Sequence, residues 1–163
     1  MHGLKLISAS VKDIDTINRL AILIWNQYYI DIISQNQINY MLDLMYNSKI
    51  LLEKIINKNE EFYLIQKQNN YIGFLSVQNI EGNSWFLNKF YINQDIASKG
   101  IGSKILNKLK KILSIEKLRL TVNRQNFKSI NFYFKNGFKI DHIKDFDIGN
   151  GFVMNDFVMI WEK

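Results

Sequence analysis

The 163-residue chain has neither cysteine nor proline. Without cysteine there can be no disulfide, no thiolate metal site and no cysteine nucleophile. That absence suits a reducing compartment, and a cytoplasmic location is expected. The lack of proline goes with abundant Asn, Ile and Lys and reads as a compositional bias of the source. Histidine is scarce as well: His2 and His142 stand alone, with no partner at metal-ligand spacing. No apolar run reaches the ~20 residues of a membrane-spanning helix. The start MHGLKL is not followed by an export-type apolar stretch. Carboxylates are in the minority, 15 Asp and Glu against 21 Lys and Arg, for a net charge of +6. Nucleic acid, acidic lipid or a polyphosphate cofactor would each suit that charge. The lysines are spread through amphipathic segments and form no basic tail. No repeat, low-complexity tract or linker divides the sequence, so one domain over 1–163 is expected. With 47% hydrophobic and 22% charged residues it has the composition of a globular domain with a real core.

LKLISA near the N-terminus predicts a short strand. Ser10 can cap a helix from Val11 to Trp25, because Ile14, Ile17, Leu20, Ala21 and Ile24 recur at helical spacing. A second helical region follows Ser34 and continues in pieces to Ile56. EFYLIQKQ, YIGFLSVQNI and SWFLNKFYIN then read as three strands of an antiparallel meander. Turns at Asn69-Asn70 and Glu81-Gly82-Asn83 join them. Ile101, Ile105, Leu106, Leu109, Ile112 and Leu113 form the apolar stripe of a further helix. KLRLTVN is a strand, Asn126 can cap the next helix, and Gly137 can stop it. FKIDHIKDF and FVMNDFVMIW, joined at Gly149-Asn150-Gly151, are the last two strands. The order is β-α-α-β-β-β-α-β-α-β-β, a mixed α/β domain.

The stretch DIASKGIGSKIL, residues 95–106, puts a Gly-x-Gly between a strand and a helix. Successive backbone N–H groups there, with the positive helix end, can hold an anion, and Lys99 and Lys104 add charge. Alternatively, Gly100 and Gly102 only shape the entry to a packed helix. Downstream, LTVNRQNFKSINFYFKNGF combines a strand, an Asn-capped helix and a Phe-Tyr pair before Asn-Gly-Phe.

The two motifs together resemble the GNAT superfamily of acetyl-CoA-dependent N-acetyltransferases. In that family a Gln/Arg-x-x-Gly-x-Gly/Ala cofactor motif precedes Asn-x-x-Ala-x-x-Phe-Tyr-x-x-x-Gly-Phe. Here Asn126, Ser129, Phe132, Tyr133, Gly137 and Phe138 sit at the second motif's spacing. The element order matches along the whole chain, with motif identity concentrated between about residues 85 and 140. Three departures stand out: Ala97 where Gln or Arg is usual, Gln94 where Pro is frequent, and Ser129 for Ala. A loop with Ala97 would bind phosphate through its backbone.

The resemblance implies a GNAT fold with a mostly antiparallel sheet flanked by helices, acetyl-CoA as the acetyl donor, and no metal. Ala97, Ser98, Lys99, Gly100, Ile101, Gly102 and Ser103 would wrap the pyrophosphate of coenzyme A. Phe90, Tyr91 and Ile92 would splay away from strand 117–123 and pair with the pantetheine. A backbone N–H near Ile92 would bond the thioester carbonyl as negative charge develops. Asn126 would touch the pantetheine arm, and Lys135 is counted with the cofactor-binding residues. Tyr133 would give its phenolic proton to the departing thiolate; its bland alternative is a core aromatic between Phe132 and Phe134. No acyl-enzyme is implied, because no serine sits in a nucleophile context.

The general base is unassigned. Many relatives use a Glu on the central strands, but no Asp or Glu lies between Ser84 and Gln94. Water relayed by carbonyls or tyrosines is the expected route. Asp145, Asp147 and Asp156 remain candidates that read more readily as surface or turn carboxylates. Trp25, Tyr28 and Tyr29 could shape an amine pocket, with Asp31 attracting a cation; equally, Trp25 and Tyr28 are core and Asp31 is solvated. The segments around them loosely resemble bacterial polyamine acetyltransferases. The expected acceptor is a small primary amine, polyamine-like or an amino sugar, with a protein or peptide amine as the alternative. A non-catalytic CoA-binding module is the competing class, and no nucleic-acid or membrane partner is expected. Dimers are common in the family, which is the sole ground for expecting a homodimer.

Overall fold

A computed structural model describes residues 3–96 and 98–163. His2 and Ala97 therefore lie outside the described residues. Strand β1 (Leu4–Ser8) leads through a short 3-10 turn at Val11–Asp13 into α1 (Ile14–Tyr28). Ser10 and Asp13 close a reciprocal capping box, with the Ser10 N–H donating to Asp13 Oδ2 at 2.8 Å. The second helical region is two helices, α2 (Gln35–Tyr46) and α3 (Ser48–Ile56). Asn47 breaks it: its backbone is extended, and its side chain caps α3 by accepting from the Ile50 N–H at 3.0 Å.

The meander is β2 (Glu61–Lys67), β3 (Asn70–Glu81) and β4 (Ser84–Ile92). Its first turn differs from the sequence expectation in one respect: the left-handed residue is Gln68, at φ 55°. The chain continues through α4 (Ile101–Ile112), β5 (Lys117–Asn123), α5 (Phe127–Lys135), β6 (Lys139–Gly149) and β7 (Phe152–Glu162). Gly149, Asn150 and Gly151 all take positive φ in the last turn, as their residue types allow.

The seven strands form one sheet in the order β1-β2-β3-β4-β5-β7-β6. Only the β4–β5 pair is parallel. Each face has its own core. Ile65, Leu75, Leu87, Leu120 and Met159 pack under α4 and α5. Phe62, Leu64 and Phe74 pack under α1, α2 and α3.

Two irregularities in β4 coincide. Its pairing with β3 steps from Ser76↔Lys89 to Val77↔Leu87, leaving Asn88 as the extra residue of a β-bulge. Its parallel pairing with β5 stops at Leu87↔Leu120. Because of the bulge Leu87 and Lys89 point to opposite faces, although two residues apart on a regular strand would share one. Beyond it the two central strands separate.

Candidate active site

The separation opens a cleft of about 890 Å³ that reaches residues of both cores. On the α4–α5 side it is lined by Ser98, Lys99, Gly100, Gly102, Ser103, Asn126, Tyr133 and Lys135. Phe90, Tyr91 and Ile92 line its wall along β4. Trp25, Tyr28 and Tyr29 line it from the α1 face of the sheet. Of the described residues assigned from the sequence to catalysis, the cofactor or the amine pocket rings, Ile101 alone is absent from the lining; Asp31, Asp145 and Asp147 are absent from it as well. The Ile101 side chain is buried in the core and its N–H donates to Ser98 O at 3.1 Å.

The helix α4 N-terminus has the features of an anion site. Gly100 caps it in the left-handed conformation, at φ 87°, with no side-chain cap. The first helical bond runs from Lys104 N–H to Gly100 O at 3.1 Å. The N–H groups of Gly100, Gly102 and Ser103 have no acceptor among the described residues. The two glycines have different causes. A Cβ at Gly100 would meet nothing, so backbone conformation selects that residue; a Cβ at Gly102 would crowd the Phe132 ring. Upstream, the loop is tied to α1: Gln27 donates to Asp95 Oδ2 at 2.9 Å and accepts from the Gln94 N–H at 3.4 Å. Lys128 reaches Gln94 and lies 5.2 Å from the centre of the Tyr28 ring.

Asn126 caps α5, accepting from the Ser129 N–H at 3.1 Å, and it lines the cleft. Tyr133 is 9% exposed and packs edge-on against Phe132 and Phe138, with centroids 5.2 and 5.3 Å away. It is therefore a core aromatic and a cleft residue at once. Its hydroxyl bonds to none of the described residues, and burial pushes its pKa up. A phenol that keeps its proton at neutral pH and has no internal acceptor can donate to a bound group.

On the α1 face Trp25 and Tyr29 lie with ring centroids 4.4 Å apart, and Trp25 also meets Tyr46 and Tyr91. Burial raises the pKa of Tyr28, Tyr29 and Tyr91, so all three stay neutral. The hydroxyls of Tyr46 and Tyr91 are near enough to couple, yet Tyr46 Oη and Trp25 Nε1 make no hydrogen bond of acceptable geometry. Asp31 is exposed and does not line the cleft, so it is solvated and no part of an amine pocket.

One feature of the site was not read from the sequence, and another was named there but placed at the surface. The first is an ion cluster at the cleft floor. Lys89, 5% exposed, reaches Glu60 Oε1 at 2.5 Å; Ser76 donates to the same oxygen at 2.5 Å, and Lys54 bonds Glu60 Oε2 at 2.8 Å. Burial would raise the Glu60 carboxyl, but Lys89 and Lys54 outweigh it and hold it below its ordinary value. Burial pushes Lys89 down to about 8 against the pull of Glu60. The second is Asp156. Asp145 is exposed and paired with Arg124 at 2.6 Å, and Asp147 is exposed and accepts from the Gly149 N–H at 2.8 Å. Asp156, by contrast, is 2% exposed and lines the cleft, which corrects its reading as a surface carboxylate. The alternation of β7 carries a usable signal: Asp156 falls on the strand face of Phe152, Met154, Val158 and Ile160 and interrupts that apolar series.

Among the described residues no cluster of His, Cys, Asp and Glu could hold a metal ion. Nor is any helix among them long and apolar enough to cross a membrane.

Residues 23–138 match the model of the acetyltransferase (GNAT) family. The chain belongs to this family, as an acetyl-CoA-dependent N-acetyltransferase. A spermidine N(1)-acetyltransferase of Thermoplasma acidophilum is 29% identical over 152 residues, covering 89% of this chain and 91% of that one. The crystal structure of the PaiA N-acetyltransferase from the same organism, in complex with coenzyme A, superposes with a TM-score of 0.81. It is 28% identical and covers 98% of this chain and 99% of that one. A GCN5-related N-acetyltransferase from Rhodopseudomonas palustris shares the fold, with a TM-score of 0.81 at 16% identity over 100% of this chain and 98% of that one.

Proposed function

We propose that this enzyme moves the acetyl group of acetyl-CoA to the primary amine of a small molecule, polyamine-like or an amino sugar, by direct attack in a ternary complex. The observation that carries this reading is one cleft that reaches both faces of the sheet, with lysines and N–H groups that have no acceptor among the described residues on its α4–α5 side and the aromatic rings of α1 on the other face. Coenzyme A lies with its pyrophosphate on the N–H groups of Gly100, Gly102 and Ser103. Lys99 and Lys135 stand near its phosphates. The pantetheine runs between β4 and β5, past Phe90, Tyr91, Ile92 and the Asn126 amide. The amine enters beside Trp25, Tyr28 and Tyr29, whose neutral rings can contact a cation. Its lone pair adds to the thioester carbonyl carbon, the C–S bond breaks, and Tyr133 protonates the thiolate. The similarity to a spermidine acetyltransferase supports a small amine acceptor.

Release of free thiol from acetyl-CoA, followed over polyamines, amino sugars, amino acids and peptides, tests the reading. Saturable turnover with a small amine is expected. Turnover confined to peptides would move the acceptor to the protein class. Saturable CoA binding without turnover on any amine would overturn the reading.

A further inference from the structure

Asp156 is a buried carboxylate that lines the cleft and has one unpartnered oxygen. Its Oδ1 has no hydrogen-bond partner, and an unpaired buried charge is costly unless something in use repays it. The face it occupies follows from strand alternation. Phe157 and Met159 belong with the core under α4 and α5, whereas Met154 packs with the core under α1 to α3. Asp156 shares the face of Met154. It therefore sits on the side of the sheet that carries Trp25 and Tyr29, while Tyr133 approaches from the other. A bound thioester in the gap would have a phenol on one side and a carboxylate on the other.

We propose that Asp156 is the general base that takes a proton from the acceptor ammonium. This rests on the acetyltransferase reading above. The ammonium gives one proton to the Asp156 carboxylate, and the freed lone pair forms the N–C bond while the carbonyl π pair moves to oxygen. The tetrahedral intermediate then reforms the carbonyl and expels the thiolate. Tyr133 protonates the sulfur and is reprotonated by the second proton lost from nitrogen. The third proton stays on the amide, and the one on Asp156 passes to solvent.

The groups around Asp156 suit a base that is ionised at neutral pH. Asn123 lies opposite it on β5 and Lys144 opposite it on β6, but the Lys144 ammonium is drawn over the Phe146 ring at 4.9 Å. Tyr29 faces it from the end of α1. Burial raises its pKa to about 6; the Thr121 side chain and Arg124 oppose that rise, and Asp145 adds to it.

The test is Asp156→Asn, measured with an amine that the wild type acetylates. The expected result is a fall in kcat/KM of about 10²- to 10⁴-fold. The acid limb near pH 6 should be lost, and the dissociation constant for CoA should not change. The variant should fold, because it removes a buried charge and keeps the shape. An Asp156→Ala variant restored by formate would show independently that a carboxylate at this place is what is needed. A wild-type rate with the limb retained would overturn the assignment and leave the acetyltransferase reading intact. So would a rate loss matched by an equal loss of CoA affinity. A wild type that acetylates no amine would overturn both.

Discussion

A Cβ on residue 102 would stand 2.8 Å from Cε2 of the Phe132 ring, so the helix that opens the anion site rests directly on the helix that carries Tyr133. Phe132 in turn stacks on Phe90 of β4, with centroids 5.8 Å apart. Gly102→Ala should push the ring or the helix aside and destabilise the fold by about 1–3 kcal/mol. CoA affinity should fall with it. Gly100→Ala meets no neighbour but must hold a left-handed backbone, at a cost of about 1–2 kcal/mol. Denaturant titration and CoA calorimetry on both variants check this; an unchanged CoA affinity in both would separate the loop from the cofactor.

Tyr133→Phe keeps the ring that packs against Phe132 and Phe138 and removes only the hydroxyl. Turnover should fall by about 10²- to 10⁴-fold while acetyl-CoA binds as before. Steady-state kinetics and direct binding measure the two effects separately. Unchanged turnover would leave Tyr133 a packing residue.

The pair of Glu60 and Lys89 is buried on both sides, and removing one partner strands the other. Glu60→Gln should cost about 3–5 kcal/mol, and Glu60→Gln with Lys89→Met should cost less than that. The pH dependence follows from the lowered Glu60 value. Its stabilising contribution is complete above the ordinary glutamate range and is lost as pH falls through its depressed folded value. Denaturation midpoints of wild type and Glu60→Gln should therefore converge in acid.

Lys99 and Lys135 are exposed at the rim of the cleft. Each contact with a phosphate there is worth about 0.2–1 kcal/mol, so Lys99→Ala and Lys135→Ala should weaken CoA binding up to about fivefold. The weakening should shrink as salt is raised, because exposed charges are screened. Calorimetry at two ionic strengths resolves both effects.

Much of the fold was legible because its signals are local. The stripe from Ile101 to Leu109, the Asn126 cap and the glycine-rich last turn each act within a few residues. The family motifs placed Gly100 and Tyr133 on their elements in the right order. What could not be read depends on pairing between distant strands. Glu60 and Lys89 are 29 residues apart and meet only because β2, β3 and β4 lie side by side. The burial of Asp156 depends on β7 crossing back between β5 and β6. Ser76 and Lys89 share a face only because Asn88 bulges. The role of Gly102 was equally hidden, since its reason is a ring thirty positions away.

The parting of β4 from β5 has a thermodynamic consequence. Past Leu87 and Leu120 the middle of the sheet lacks a neighbouring strand on one side, so part of its bonding capacity waits for an occupant. A pantetheine seated there would act as a borrowed strand, and the folded state would gain stability by mass action. At a donor concentration one hundred times its dissociation constant, that gain is about 2.7 kcal/mol. The chain's resistance to unfolding and proteolysis would then rise and fall with the supply of its own acetyl donor.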